Sequence, residues 1–183
     1  GTAYVTGHNI WNVYYANQYA IVLDSADGLS QLQRDTVKTW YRVSYDKAIK
    51  EILPVAGYYR DDDGGWNWTA AYAMWSLVDE FQFFENLRIG TGKDLYNDLP
   101  WIKNSINQYW YFMQPDNYTI NWGDGFTSIQ GDRVIYRHAQ IYNDPRSKWL
   151  AQYWSSPANI TWTWPLYQKL MYKDFTAPVV TKP

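Results

Sequence analysis

The 183-residue sequence contains no cysteine and only two histidines, His8 and His138. Without cysteine the chain can form neither a disulfide nor a thiolate metal site. Cysteine usage therefore does not distinguish an oxidising from a reducing compartment. Two histidines also argue against a histidine-rich metal site. We therefore expect this chain to hold no metal ion and no cofactor.

Long apolar runs and a strong charge imbalance are lacking as well. No run of about 18 apolar residues is present that would cross a bilayer as a helix. The net charge of −2 argues against a protein that binds nucleic acid through a broadly basic face. It is compatible with an acidic glycan held by a few local arginine and lysine side chains.

Aromatic residues are abundant, at 20% of the chain, with 12 tryptophans and 18 tyrosines. Aromatic side chains usually dominate cores. Trp66, Trp68 and Trp122, however, lie in polar segments that contain glycine, where burial explains them less well. Sugar rings have flat apolar faces that match tryptophan and tyrosine rings, so we expect at least one of the three to stack on a sugar.

The spacing of apolar residues predicts a mostly helical, single-domain chain. Ser30 and Gln33 form a capping-box pattern before a helix over residues 31–53, which Pro54 is expected to end. Trp40, Trp75, Trp110 and Trp149 fall on apolar stripes and are predicted core residues. The other predicted helices cover residues 10–23, a segment ending near Gly90 and Gly92, 98–113, 132–142 and 144–154.

Helices joined in this way by polar, aromatic loops predict an all-α fold. We expect part of an α/α toroid, an incomplete barrel of antiparallel helix pairs, over residues 1–175. Residues 176–183 contain two prolines and are predicted to form a linker-like tail.

Three residues at predicted helix starts are candidates for chemistry. His8 and Asn9 precede the first helix, whose free backbone N–H groups and positive dipole suit an anionic ligand. A cap at Asn9 and a surface position for His8 explain the same pattern. Tyr72 lies within the first turn of a later helix and is a candidate acid and base, while ordinary core packing is the alternative.

Carboxylates provide a second set of candidates. The aspartate run at residues 61–63 is typical of a solvated turn, and it also suits a calcium site or one half of a glycosidase pair. Asp124 is the natural partner for such a pair, although Asp-Gly is equally a turn signal.

Four segments in order resemble the α-toroid part of heparinase II/III-like polysaccharide lyases: "AYVTGHNIW", "GGWNWTAAYAMW", "NWGDGF" and "IYNDPRSKWLAQYW". The resemblance covers almost the whole chain. It implies cleavage of a uronate-containing polysaccharide by β-elimination. By position, Asn9 and His8 would neutralise the uronate carboxylate, and Tyr72 would serve as the acid and base.

The resemblance also implies a set of substrate-binding residues, and the sequence departs from the family pattern at two positions. Arg60 would pair with a uronate or sulfate, or bridge to the aspartate run. Trp11 stands where some members have glutamate, and Asn67 where several have histidine or glutamate. Further residues expected to contact substrate are Trp11, Trp66, Asn67, Trp68, Trp122 and Asp124.

Members of this family carry a β-sandwich domain that supplies another catalytic histidine. The implied partners are therefore an acidic polysaccharide and a β-sandwich domain or chain, and the implied location is periplasmic or extracellular. Two alternatives remain: an α/α-toroid glycoside hydrolase that uses an aspartate pair, and a non-catalytic glycan-binding module.

Overall fold

The structure, a computed structural model, describes residues 7–60, 63–65, 70–114, 120 and 132–153, and all elements within these ranges are helices. They confirm the predicted all-α class for this part of the chain. None of these helices is long and apolar enough to cross a membrane. The elements are α1 Gly7–Asp24, α2 Gln31–Lys47, a π-helix Ala48–Ile52, α3 Leu53–Arg60, α4 Ala70–Thr91, α5 Leu95–Asp98, α6 Trp101–Asn104, α7 Ile106–Phe112, α8 Asp132–Tyr142 and α9 Pro145–Tyr153.

The start of α2 is the capping box that the sequence predicted. The backbone N–H of Gln33 donates to Ser30 Oγ at 3.4 Å, and the backbone N–H of Ser30 donates to Gln33 Oε1 at 2.8 Å. Two otherwise free donors of the first turn are thereby satisfied.

The predicted helix end at Pro54 is wrong, because helical backbone continues through Pro54 to Arg60. A proline inside a helix lacks an N–H and crowds the carbonyl four residues earlier, which here belongs to Lys50. That carbonyl lies in the π-helix, whose wider turn changes the hydrogen-bond pattern at this point.

The chain divides into two compact units. Unit 1 comprises Gly1–Tyr59 with Asp79–Asp98, and unit 2 comprises Arg60–Val78 with Leu99–Pro183, so α4 contributes to both. The prediction of one domain over residues 1–175 stays a prediction.

Unit 1 contains α1, α2, the π-helix, α3 up to Tyr59, the second half of α4 and α5. The Tyr14 and Phe83 rings stack at 4.7 Å between centroids, and the Tyr15 hydroxyl donates to Asp79 Oδ1 at 3.1 Å. Asn17 Nδ2 donates to Ser44 Oγ at 3.2 Å and links α1 to α2. The α4 stripe predicted from the sequence is buried in both units, Phe81 and Phe84 in unit 1 and Met74, Leu77 and Val78 in unit 2.

Unit 2 places α6, α7, α8 and α9 around buried aliphatic and tyrosine side chains. Trp149 is buried as predicted and meets the half-buried Trp110 edge-on at 5.5 Å. The prediction for Trp40 in unit 1 is wrong, because 53% of that side chain is exposed. The side chain of Trp75 lies outside the described residues.

Candidate functional site

The three predicted catalytic residues lie at helix starts. His8 and Asn9 are in the first turn of α1, and Tyr72 is the third residue of α4. The first turn of a helix carries free N–H donors and the positive end of the dipole. The side chains of these three residues lie outside the described part of the structure, so their chemical roles stay predictions.

Most of the predicted substrate-binding residues also lie outside the described residues. They are Trp66, Asn67, Trp68, Trp122 and Asp124. Trp11 lies in α1 and is half-buried. Contact of any of these residues with a sugar stays a prediction.

Asp63, Gly64 and Gly65 form a braced turn, the Gly-Gly turn, between α3 and α4. The N–H of Gly64 donates to the carbonyl of Arg60 at 2.7 Å, and Asn107 Nδ2 donates to the carbonyl of Asp63 at 2.8 Å. Gly64 has a φ of +74°, and a Cβ there would collide with the backbone carbonyl of Asn104. Only glycine fits both this conformation and this close approach.

The Asp63 side chain shapes this turn. Its Oδ1 accepts a hydrogen bond from the N–H of Gly65 at 2.7 Å, and the side chain is exposed. An aspartate that accepts from the backbone two residues later is the usual arrangement of a solvated turn. This part of the acidic run therefore agrees with the turn interpretation of the sequence.

Arg60, the last residue of α3, is completely buried. Its guanidinium carbon lies 5.0 Å from the ring centroid of Trp101, a cation–π distance. The carbonyl of the same residue accepts from Gly64, so Arg60 supports the Gly-Gly turn. Its predicted pairing with a uronate or sulfate stays a prediction.

A hydrogen-bond network that sequence reasoning missed connects this turn to the start of α9. Arg146 Nη1 donates to Asn107 Oδ1, and Arg146 Nη2 donates to Asp144 Oδ2 at 2.9 Å. Asn107 thus contacts both the Gly-Gly turn and Arg146. The partners are 44 and 39 residues apart, and no local motif in the sequence signals such pairs.

Asp144 closes this network as the N-cap of α9, as the sequence predicted. Its Oδ1 accepts from the N–H of Arg146 at 2.8 Å and from the N–H of Ser147 at 3.2 Å. Burial by itself would raise the pKa of this carboxyl. The hydrogen bonds and charge of Arg146, with the N–H of Ser147, outweigh burial and hold the pKa below its ordinary value.

His138 lies in α8 and is completely buried. Its Nε2 is 2.8 Å from the carbonyl oxygen of Lys103, so an N–H at this nitrogen donates to that carbonyl. Burial lowers its pKa to about 4 despite this hydrogen bond, and the imidazole is neutral at neutral pH. The ring of Tyr142 lies against it at 4.6 Å.

Within the described ranges, no group of three or more histidine, cysteine, aspartate or glutamate side chains is arranged to hold a metal ion. The chain matches no protein-family model, no curated protein and no solved structure. The resemblance to heparinase II/III-like lyases therefore rests on the sequence segments themselves.

Proposed function

We propose that this chain is the α-helical cleft domain of a polysaccharide lyase that acts on a uronate-containing acidic polysaccharide. The Gly-Gly turn carries the proposal, because hydrogen bonds from Asn107 and to Arg60 brace it a few residues before the helix that contains Tyr72. A catalytic side chain needs a rigid support of this kind. The position of His8 and Asn9 in the first turn of α1 gives further support.

In the proposed reaction, the Asn9 amide and the His8 imidazole hydrogen-bond the substrate carboxylate and stabilise the enolate-like charge that develops there. Tyr72 removes the proton from C5. The C5–H electron pair forms the C4–C5 double bond, the C4–O4 bond breaks, and O4 receives a proton. The reaction consumes no water, and one product carries an unsaturated uronate at its new end.

The remaining parts of the proposal concern the substrate cleft. Trp11, Trp66, Trp68 and Trp122 would provide stacking surfaces, and Asn67, Arg60 and Asp124 would bind polar groups of the sugar. The helices would form part of an α/α toroid, and a β-sandwich domain or chain would supply another catalytic histidine. A polysaccharide substrate places the protein in the periplasm or outside the cell.

Mass spectrometry of the products from a panel of uronate polysaccharides tests the proposal. We expect unsaturated fragments, each lighter by one water than the hydrolytic fragment of the same length. Tyr72→Phe should lower their rate of formation by roughly 100- to 10,000-fold, the usual contribution of an acid–base residue. Tyr58→Phe is the matched control, since Tyr58 is 80% exposed on α3.

Two other results would replace the lyase proposal. Saturated products lost in Asp124→Asn would identify a hydrolase with an aspartate pair, whose carboxyl groups are roughly 6.5–9.5 Å apart in inverting enzymes. The second carboxylate would come from the aspartate run at residues 61–63. Retention on a glycan gel without cleavage, abolished by alanine at the loop tryptophans, would identify a binding module.

A further inference from the structure

One face of α2 in unit 1 exposes an apolar stripe. Leu32, Trp40 and Val43 are 77%, 53% and 57% exposed, and Thr36 lies between them. At about 100° per residue, these four positions fall within a sector of roughly 80° on the helix surface. Single exposed apolar residues are common, but a continuous stripe of large ones marks an interaction surface.

The packing of α2 inside unit 1 leaves this stripe uncovered. The side of the helix next to the stripe contacts α1, where Asn17 donates to Ser44 and Val37 is buried; at about 100° per residue, Ser44 and Val37 lie roughly 40–60° around the helix from Trp40. Tyr41, on that same side, is half-buried and stacks on Tyr45 with the ring centroids 5.7 Å apart. The helix therefore has a buried side, which fixes it in unit 1, and next to it an exposed apolar side.

The charges beside the stripe favour one particular occupant, a second copy of α2. Asp35 and Arg42 are seven residues apart, so they lie on the same flank of the stripe, and both are exposed. Asp35 accepts a hydrogen bond from Gln31 at 2.9 Å. In the described part of the chain, no carboxylate forms an ion pair with Arg42.

Twofold symmetry makes this flank complementary to itself. When two identical helices pair antiparallel about a twofold axis, the same flank of each helix lies on the same side of the interface. A residue at a given distance before the axis then faces the residue of the other copy that lies the same distance after it. Asp35 of one copy then faces Arg42 of the other, and the reciprocal pair forms as well. A parallel arrangement about a twofold axis along the helices would instead place the two Asp35–Arg42 flanks on opposite sides of the interface, where they cannot pair.

We propose that this α2 face is a self-association surface on which a second copy docks its own α2 antiparallel. The midpoint between Asp35 and Arg42 lies within one turn of Trp40, so the two tryptophans lie close to the twofold axis. Leu32 and Val43 extend the apolar contact to either side. The proposal is independent of the lyase activity.

Sedimentation equilibrium of the full chain over a range of concentrations tests the surface. We expect a monomer–dimer equilibrium that Trp40→Ala weakens at least tenfold, because a central buried tryptophan commonly dominates an interface. Ile89→Ala is the matched control, because it removes an apolar side chain that is 66% exposed on a different helix, α4.

Charge exchange tests the antiparallel register. Asp35→Arg and Arg42→Asp should each weaken dimerisation, since each places two like-charged pairs across the axis. The double variant D35R/R42D should recover it, and an equimolar mixture of the two single variants should form a heterodimer.

A chain that stays monomeric at every concentration would overturn the proposal. Dimerisation that is insensitive to Trp40→Ala would show that the copies meet elsewhere. A dimer lost in both single charge variants and not recovered in D35R/R42D would contradict the antiparallel register. Circular dichroism of each variant checks that its helices are intact, as expected for substitutions at exposed positions.

Discussion

At the scale of single residues, the most consequential environment is that of His138. Its imidazole is completely buried, and its Nε2 lies 2.8 Å from the Lys103 carbonyl oxygen. Protonation would place a charge in this interior. Burial therefore lowers the pKa to about 4, although the hydrogen bond to Lys103 and the charge of Asp144 partly oppose that shift.

The buried His138 predicts a loss of stability in acid. Its pKa is about 6.5 in the unfolded chain and about 4 in the folded one, so the unfolded state binds more protons between these values. The stabilising contribution is complete above pH 6.5 and is lost progressively as the pH falls to 4. Over this window the free energy of unfolding should decrease by about 3 kcal/mol on this account.

Urea unfolding between pH 7.5 and 4 measures this loss, with His138→Gln as the comparison. The glutamine does not titrate but offers an amide donor to the Lys103 carbonyl. We expect the variant to be less stable at pH 7.5 and to have the flatter pH profile. Other carboxyl groups, including Asp144, titrate in both proteins, so parallel profiles would contradict the assignment to His138.

At the scale of elements, short-range rules explain how the helices begin, and contacts between elements explain the turn before α4. Ser30 and Asp144 cap α2 and α9 through hydrogen bonds that span two or three residues. The Gly-Gly turn depends instead on α6 and α7. Gly64 lies against the Asn104 carbonyl, and Asn107 binds the Asp63 carbonyl.

Because of this close approach, we expect alanine to cost more stability at Gly64 than at Gly28, although both glycines have a positive φ. Gly64→Ala should reduce the free energy of unfolding by roughly 2–4 kcal/mol, because the methyl group forces the Asn104 backbone to move. Gly28 has a φ of +78°, and nothing lies within 4 Å of a Cβ added there. In Gly28→Ala only the left-handed backbone therefore costs stability, about 1–2 kcal/mol. Urea unfolding of both variants gives the difference, and equal losses would mean that the turn relaxes without strain.

At the scale of the whole molecule, two compact units share α4. Phe83 lies in unit 1 against Tyr14, and Leu150 lies buried in unit 2. Each side chain therefore belongs to the interior of one unit.

Hydrogen exchange after Phe83→Ala and Leu150→Ala should distinguish the units. Each substitution should cost roughly 2–5 kcal/mol, since it removes a large buried side chain. We expect Phe83→Ala to speed amide exchange most in α1 and residues 79–91, and Leu150→Ala to do so most in α8 and α9. Equal acceleration everywhere by either variant would show that the chain opens as a single cooperative unit.

The sequence by itself determined the all-α class of the described residues, the start of α2, the N-cap of α9 and the buried stripe of α4. These features depend on residues within a few positions of one another, so they leave local signals. It also placed His8, Asn9 and Tyr72 at helix starts, although their joint chemistry stays a prediction.

Only the tertiary structure decided the features that depend on distant partners. Trp40 is exposed because α1 packs against the neighbouring side of α2 that carries Val37 and Ser44, and Arg60 is buried with its guanidinium against Trp101. The links of Asn107 to Asp63 and Arg146 cross 44 and 39 residues. The physical reason is that burial and long-range hydrogen bonds depend on which elements meet, and apolar spacing along one helix does not specify its neighbours.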